Sequence, residues 1–436
     1  MKRTLVGAVM VIVLATGALL VGCAQELMPT PNLYAKAKQN PFQNVPRVLQ
    51  SNRVEVVYAT DRAPTRDKKD KLQYGHERSK SLAFGVCEVE IGRDLPWDEL
   101  VRDSLTQRRS RSLPLTVKEI REVGRFPAVP NLAAFDHNTF EEKPDVVAKR
   151  ASTESQLITL LSDRLKQTPQ CEAYVYVHGF SNTFEDAAFV MAGLWHFMGR
   201  TGVPIIYTWP AGSPEGALGG YSHDSESGQF TGYHLRHFLK TIAACPDLKK
   251  IHLIAHSRGT DVLMTALREL NLEYRAAGKQ TRSELKLGNL VLAAADLDFE
   301  VTSQRITAEL LPLVPERMTV YVSATDRAIG IADLLFGSKR RIGQLRWTDL
   351  TPEQRKGLES VSQMQIIDAR VNTGFLGHSY FHASPAVSSD LILLLRDNRA
   401  PGAATGRPLI KRQDSFWEIV DTYPQVASES SQEPKR

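Results

Sequence analysis

The residues best able to do chemistry sit in one short stretch, Ala255-His256-Ser257-Arg258-Gly259. It lies between an apolar run at 250–254 and a helical pattern that starts at 259. This is the pattern G-x-S-x-G with alanine in first place. Small residues two before and two after the serine let a strand and a helix close sharply, and the turn lifts the hydroxyl clear of the sheet. Ser257 is therefore the candidate nucleophile, with a helix N-terminus beneath any negative charge that develops. The bland alternative is an ordinary strand-to-helix turn. A serine cannot work alone; it needs a base, a group that orients the base, and donors for an oxyanion. His178-Gly179-Phe180 ends a second apolar run at 173–177, where Gly179 allows close approach of the backbone. The amides of Phe180 and Arg258 are the candidate oxyanion donors. Of eleven histidines, only His378 and His382 lie in the loop after the run at 364–368. His378, behind Gly377, is the expected base and His382 the alternative; His256 is expected to point away from the nucleophile. Two aspartates follow strands at the right edge, Asp296 and Asp326.

These residues need a sheet to hold them. Runs rich in β-branched and aromatic residues predict strands at 54–59, 82–91, 173–177, 204–208, 250–254, 290–293, 318–322 and 364–368. Helical patterns at 184–199, 229–244, 259–276 and 388–395 alternate with them. Thr153 and Gln156 resemble a capping box for a helix carrying Leu157, Leu160, Leu161 and Leu165. Strands alternating with helices predict an α/β fold: a mostly parallel eight-stranded sheet with helices on both faces. Charged residues 62–80 predict a solvated hairpin loop, and 95–150 look irregular.

Residues 52–396 resemble a bacterial α/β-hydrolase family labelled as uncharacterised esterase/lipase superfamily enzymes. The resemblance rests on Tyr58-Ala-Thr-Asp61-Arg62, Tyr176-Val-His-Gly-Phe180, Tyr207-Thr-Trp-Pro210, Ala255-His-Ser-Arg-Gly259, Ala295-Asp-Leu-Asp298 and Gly377-His-Ser-Tyr-Phe381. It departs at Ala295, where related chains often carry proline before the aspartate. The resemblance implies an α/β-hydrolase fold and a serine hydrolase of unassigned substrate. Thr60-Asp61-Arg62 is expected to be structural. In most hydrolases of this fold the acid follows the seventh strand, which favours Asp326 over Asp296. The expected triad is Ser257, Asp326 and His378.

The expected reaction is hydrolysis of a carboxylic ester, or a thioester, through an acyl-serine. Trp209, Tyr233 and Phe375, with Phe180, are expected to line an apolar substrate pocket. For Trp209 a purely core role is equally in view. Residues 327–362 are expected to form a cap, with Leu334, Leu335 and Phe336 facing the site. A non-catalytic binding or scaffold protein on the same fold is the alternative.

The start of the chain carries its own signal. Met1-Lys2-Arg3 precedes a nearly apolar stretch at 5–20, then Leu20-Val21-Gly22-Cys23. This reads as an export signal over 1–22. The tetrapeptide resembles a bacterial lipobox, which implies an acylated Cys23 as the mature N-terminus; an uncleaved anchor helix is the alternative. Residues 23–50 are then a lipidated tether and 51–398 the hydrolase domain. Residues 399–436 are a C-terminal extension ending in a disordered tail. The expected location is the bacterial cell envelope, lipid-anchored and facing the periplasm or exterior.

Composition excludes other classes. With 42% hydrophobic and 24% charged residues the chain is globular. Its 54 Lys+Arg and 49 Asp+Glu leave +5, too little to favour a nucleic-acid partner. No GxGxxG, Walker or HExxH motif appears, so no cofactor or metal is expected. Cys87, Cys171 and Cys245 form no CxxC pair; one disulfide among them is open outside the cytoplasm, but they are expected to be three buried small apolar residues.

Overall fold

The computed structural model describes residues 25–35, 39–131, 135–136, 139–140, 142–214, 216–329, 340–372 and 377–424. Eleven strands form the main sheet: β1 (Arg53–Arg66), β2 (Leu72–Ile91), β3 (Leu115–Arg125), β4 (Glu172–Val177), β5 (Val203–Thr208), β6 (Lys250–His256), β7 (Leu287–Ala293), β8 (Arg317–Val322), β9 (Met364–Arg370), β10 (Ile410–Gln413) and β11 (Phe416–Val420). Their order is β10-β11-β9-β8-β7-β6-β4-β5-β1-β2-β3. From β1 through β5, β4, β6, β7, β8 and β9 to β11 every pairing is parallel; β1–β2, β2–β3 and β10–β11 are antiparallel.

The five longest described helices are α1 (Pro144–Leu165), α2 (Phe184–Phe197), α3 (Gly216–Ala243), α4 (Gly259–Ala276) and α5 (Pro385–Leu395). Period-two alternation divides each central strand between two cores. On β4, Ala173, Val175 and Val177 join the core under α1, α3 and α4, whereas Tyr174 and Tyr176 join the core under α2 and α5. Both faces of the sheet are thus covered, as a parallel sheet requires.

The structure differs from the sequence expectations in several elements. The sheet has eleven strands rather than eight. β3 went unseen because its edge position suits the charges Lys118, Glu119, Arg121 and Glu122; β10 is exposed throughout. β11 pairs with β9, so 399–424 belongs to the sheet edge rather than to a loose extension. The β1–β2 hairpin runs far into the expected loop: only 67–71 form the turn, where Asp67 Oδ1 accepts from the amides of Lys69 and Lys71, both at 2.8 Å. α1 starts at Pro144, whose ring suits a first helical position; Thr153 sits inside it, donating to Lys149 O at 2.8 Å rather than capping.

A further difference is at the N-terminus. The expected tether packs into the core: Leu27, Met28, Leu33, Tyr34, Phe42 and Val45 are buried. Leu27 N donates to Leu113 O and Leu115 N to Gln25 O, so this segment extends the sheet edge before β3. Asn32 Nδ2 donates to Asp421 O at 3.0 Å and Tyr423 O at 2.8 Å, joining the two ends of the described chain. Cys23 and the 1–22 signal lie outside the described residues, as do 425–436 of the expected tail. No described helix is long and apolar enough to cross a membrane. Cys87, Cys171 and Cys245 are free thiols; Cys87 and Cys245 are buried as expected, but Cys171 is only half-buried.

Candidate active site

β6 ends at His256, and α4 begins at Gly259. The turn between them puts Ser257 at φ +51°, a left-handed conformation rare for a residue with a side chain. Ser257 N donates to Ala293 O at 3.0 Å, pinning the turn to the end of β7. Gly259 explains the second small position: a Cβ there would stand 2.2 Å from His178 O and 2.7 Å from Val177 O. Ala255, at 0% exposure, packs in the sheet.

The candidate base and acid meet at the same edge. His378 Nδ1 lies 2.8 Å from Asp326 Oδ2, with the Asp326 carboxyl fully buried. Asp326 follows β8, and its Oδ1 accepts from the amides of Ala328 and Ile329. The carboxylate thus accepts a hydrogen bond from Nδ1–H, which leaves the Nε2 lone pair of His378 for the serine. No hydrogen bond joins His378 to Ser257 Oγ in this structure; such bonds commonly tighten only with substrate. The alternative acid is engaged elsewhere: Asp296 Oδ1 pairs with Arg341 Nη1 at 3.1 Å. The alternative base, His382, packs its ring edge-on to Phe381, and burial pushes it down to about 4.

His256 does more than point away. Its Nε2 contacts His378 O at 3.2 Å, and its ring lies 4.7 Å from that of His378 and 4.8 Å from Phe381. Burial holds it well below the usual imidazole range, so it is neutral and can donate to that carbonyl. It fixes the loop that presents the base.

The 178–182 loop faces Ser257 from the end of β4. A Cβ on Gly179 would fall 2.8 Å from Ser257 Cβ, so only glycine lets the loop approach so closely. Gly179 N donates to Asn182 Oδ1 at 3.1 Å and Ser181 N to Asp224 Oδ2 at 2.9 Å. The amides of Phe180 and Arg258 bond to no acceptor among the described residues. Two unclaimed donors therefore flank the serine, the arrangement an oxyanion needs.

A family model described as "alpha/beta hydrolase of unknown function (DUF900)" matches residues 150–396, more than half the chain. The chain belongs to this α/β-hydrolase family. No curated protein matches it. The span matched by the family model carries Ser257, Asp326 and His378 together with the 178–182 loop.

The expected substrate-binding residues fare differently. Trp209 is fully buried and stacks on His178 at 5.3 Å and 6°, its Nε1 donating to His178 O at 2.8 Å. It supports the loop from beneath rather than lining a wall. Tyr233 is 48% exposed, on the part of α3 that neighbours Arg150 of α1, so the structure does not bring it to Ser257. Phe375 lies outside the described residues. Phe180 lies 5.8 Å from Tyr221, and the Arg258 guanidinium lies 5.6 Å over the same Tyr221 ring while pairing with Asp261 at 3.3 Å. The described part of the expected cap packs over the ends of β7 and β8, through Gly343 N to Ala295 O and Ser323 N to Gly343 O. Leu334, Leu335 and Phe336 lie outside the described residues.

Tyr221 and Asp224 were missed because α3 starts at Gly216, not at 229. Its first turns, rich in glycine and serine, have low helix propensity. Asp224 bonds Ser181 N and Gly212 N, tying α3 to the loops after β4 and β5. No group of three or more His, Cys, Asp or Glu side chains among the described residues could hold a metal.

Proposed function

We propose that this protein is a serine hydrolase that cleaves a carboxylic ester or thioester through an acyl-Ser257 intermediate. Nε2 of His378 takes the proton from Ser257 Oγ as that oxygen attacks the carbonyl carbon. The carbonyl electron pair moves onto oxygen, where the Phe180 and Arg258 amides receive it. On collapse, the protonated His378 gives its proton to the departing alcohol or thiol. Water then attacks the acyl-serine by the same route and releases the acid. Asp326 holds the imidazole in the required tautomer and favours its charged form. The observation that carries the reading is the 2.8 Å contact of His378 with buried Asp326, at the edge where Ser257 is held in its strained turn. The substrate is proposed to be a small acyl ester, bound near Phe180 and Tyr221.

The test is a fluorophosphonate probe on the purified protein, beside a panel of esters of increasing acyl length. Labelling is expected on the wild type and absent from Ser257→Ala. Undiminished labelling of Ser257→Ala would refute the nucleophile. No labelling and no turnover on any ester would favour the non-catalytic scaffold.

The same proposal places the chain in a bacterial cell envelope, held to a membrane by acyl chains on Cys23 and facing the periplasm or exterior. The support is Leu20-Val21-Gly22-Cys23 behind a basic, then apolar, start. Intact mass and detergent partitioning test it: Cys23→Ser should lose acylation and leave the membrane fraction.

A further inference from the structure

Arg62 is among the largest fully buried side chains and is no part of the triad. Its guanidinium makes no ion pair among the described residues. Its donors go instead to β2, to the end of β5 with the loop after it, and to the 178–182 loop that faces the serine. Nε donates to Thr208 Oγ1 at 2.8 Å; Nη1 donates to Gly75 O and Ala211 O, both at 2.9 Å; Nη2 donates to Asn182 O at 2.7 Å and faces His178 Nε2 at 3.2 Å. Burial lowers Arg62 only to about 10, so it is charged at neutral pH and can never accept a hydrogen bond.

That last fact decides the state of His178. Nε2 of His178 receives the Trp209 amide at 3.1 Å and faces the Arg62 guanidinium. Both are obligate donors, so Nε2 must be the lone-pair nitrogen and Nδ1 must carry the proton. Burial, with the charge of Arg62 second, pushes His178 down to about 3, which keeps the ring neutral. Nδ1–H therefore donates to Gly179 O at 2.9 Å. The Gly179–Phe180 peptide is trans, and in a trans peptide the carbonyl and the amide point in opposite directions. With Gly179 O held by the imidazole, the Phe180 N–H is turned away from it, on a loop whose Gly179 abuts Ser257.

We propose that Arg62 is the positioning residue of the oxyanion hole: through neutral His178 and Asn182 it fixes the one orientation of the Gly179–Phe180 peptide in which the Phe180 amide serves the serine. The proposal rests on the serine-hydrolase reading and adds to it a charged group that touches no substrate. Asn182 gives a second hold: its carbonyl accepts from Arg62 while its side chain accepts from Gly179 N, so one guanidinium braces both ends of the loop.

The test compares wild type with Arg62→Lys and Arg62→Met. Readouts are kcat, KM and affinity for an alkyl boronate, whose tetrahedral adduct on the serine carries the oxyanion charge. Loss of one oxyanion donor costs about 100-fold or more in kcat. Arg62→Met is expected to lose about that factor in kcat and in boronate affinity together, with KM within about threefold. Arg62→Lys keeps the charge but cannot reach all five acceptors, so it should fall between the two. A folded Arg62→Met with kcat and boronate affinity within threefold of wild type would overturn the proposal. So would equal losses from general destabilisation, seen as a fall in the active fraction with unchanged kcat per active site. If Arg62→Met does not fold, Arg62→Lys carries the same test, since it keeps the stem and the charge but loses the fork that reaches both Asn182 and His178. Parallel loss of kcat and boronate affinity there supports the role, and retention of both overturns it. The wild-type adduct separates the two ideas. Without any boronate or phosphonate adduct at Ser257 the hydrolase reading fails and takes this role with it. With an adduct and an unaffected Arg62→Met, only the role of Arg62 fails.

Discussion

The two candidate acids separate at the level of single contacts. Asp326 touches His378, whereas Asp296 is paired with Arg341 at a buried site. Asparagine in place of the orienting carboxylate keeps the shape and stabilises the wrong imidazole tautomer. Asp326→Asn is therefore expected to fold normally and to lose up to about four orders of magnitude in kcat. Asp296→Asn should instead lower the unfolding midpoint, because it weakens a buried ion pair, and should leave most turnover. Steady-state kinetics beside thermal unfolding of both variants checks this. The reverse outcome would place the acid after β7. His256 and Arg62 are of a different kind: neither is placed to meet substrate, yet each holds a loop that is. Sequence spacing marked His256 only as a neighbour of the serine, and Arg62 was expected only to be structural, with Thr60 and Asp61.

At the scale of elements, the elbow is a packing problem as much as a chemical one. α4 can start directly over β4 only because Gly259 has no side chain; a methyl group would meet His178 O at 2.2 Å. Gly259→Ala is expected to cost roughly 1–3 kcal/mol as overpacking and to move Ser257 off its seat. Thermal unfolding should show the first effect and slower phosphonate labelling the second. β1 supplies another element-scale device. Burial raises Asp61 from its ordinary 3.8 to about 7, with Thr231 of α3 donating to Oδ2 at 2.7 Å. Between about pH 4 and 7 the folded chain therefore keeps a proton that the unfolded chain releases. Stability drawn from this site is present below that window and is lost as pH rises through it. Asp61→Asn, neutral at every pH, should remove that slope: its unfolding midpoint relative to wild type should rise from pH 4 to pH 8.

At the scale of the molecule, both ends of the described chain are built into the domain. Leu27, Leu33, Tyr34, Phe42 and Val45 complete the core under α2 and α5, and Asn32 clamps the backbone at Asp421 and Tyr423. Removal of buried large apolar side chains costs about 2–5 kcal/mol each. Deleting residues 25–50 should therefore abolish cooperative unfolding of the whole domain, whereas loss of a free tether would leave the midpoint unchanged. Circular dichroism melts of the two lengths distinguish these outcomes. At the opposite edge, Arg407 and Asp390, both fully buried, pair at 2.7 Å, and Tyr321 and Tyr423 donate to the same carboxylate. This network locks the last helix to β8 and to the residues just before β10 and just after β11.

The sequence by itself determined what short-range pattern can encode. β-branched runs between helical periodicities are local signals, and they marked the central parallel strands and the helices between them. The elbow at Ser257 was equally legible, because a strand-to-helix turn with small flanking residues is written in five positions. His378 was legible as the histidine behind Gly377 in the last loop, whereas the preference for Asp326 over Asp296 came from where hydrolases of this fold carry their acid. Only the tertiary structure decided the choices that depend on distant neighbours. The edge strands β3 and β10 carry charges because one side of each meets solvent, so their periodicity is masked. The early turns of α3 are poor helix formers, and Asp224 joins them to loops more than ten residues away. The N-terminal segment lacks periodicity, and its burial depends on α2 and α5, which lie far along the chain. Arg62 shows the limit best: it stands 116 residues before His178, and no local pattern reveals that its guanidinium ends in the loop facing Ser257.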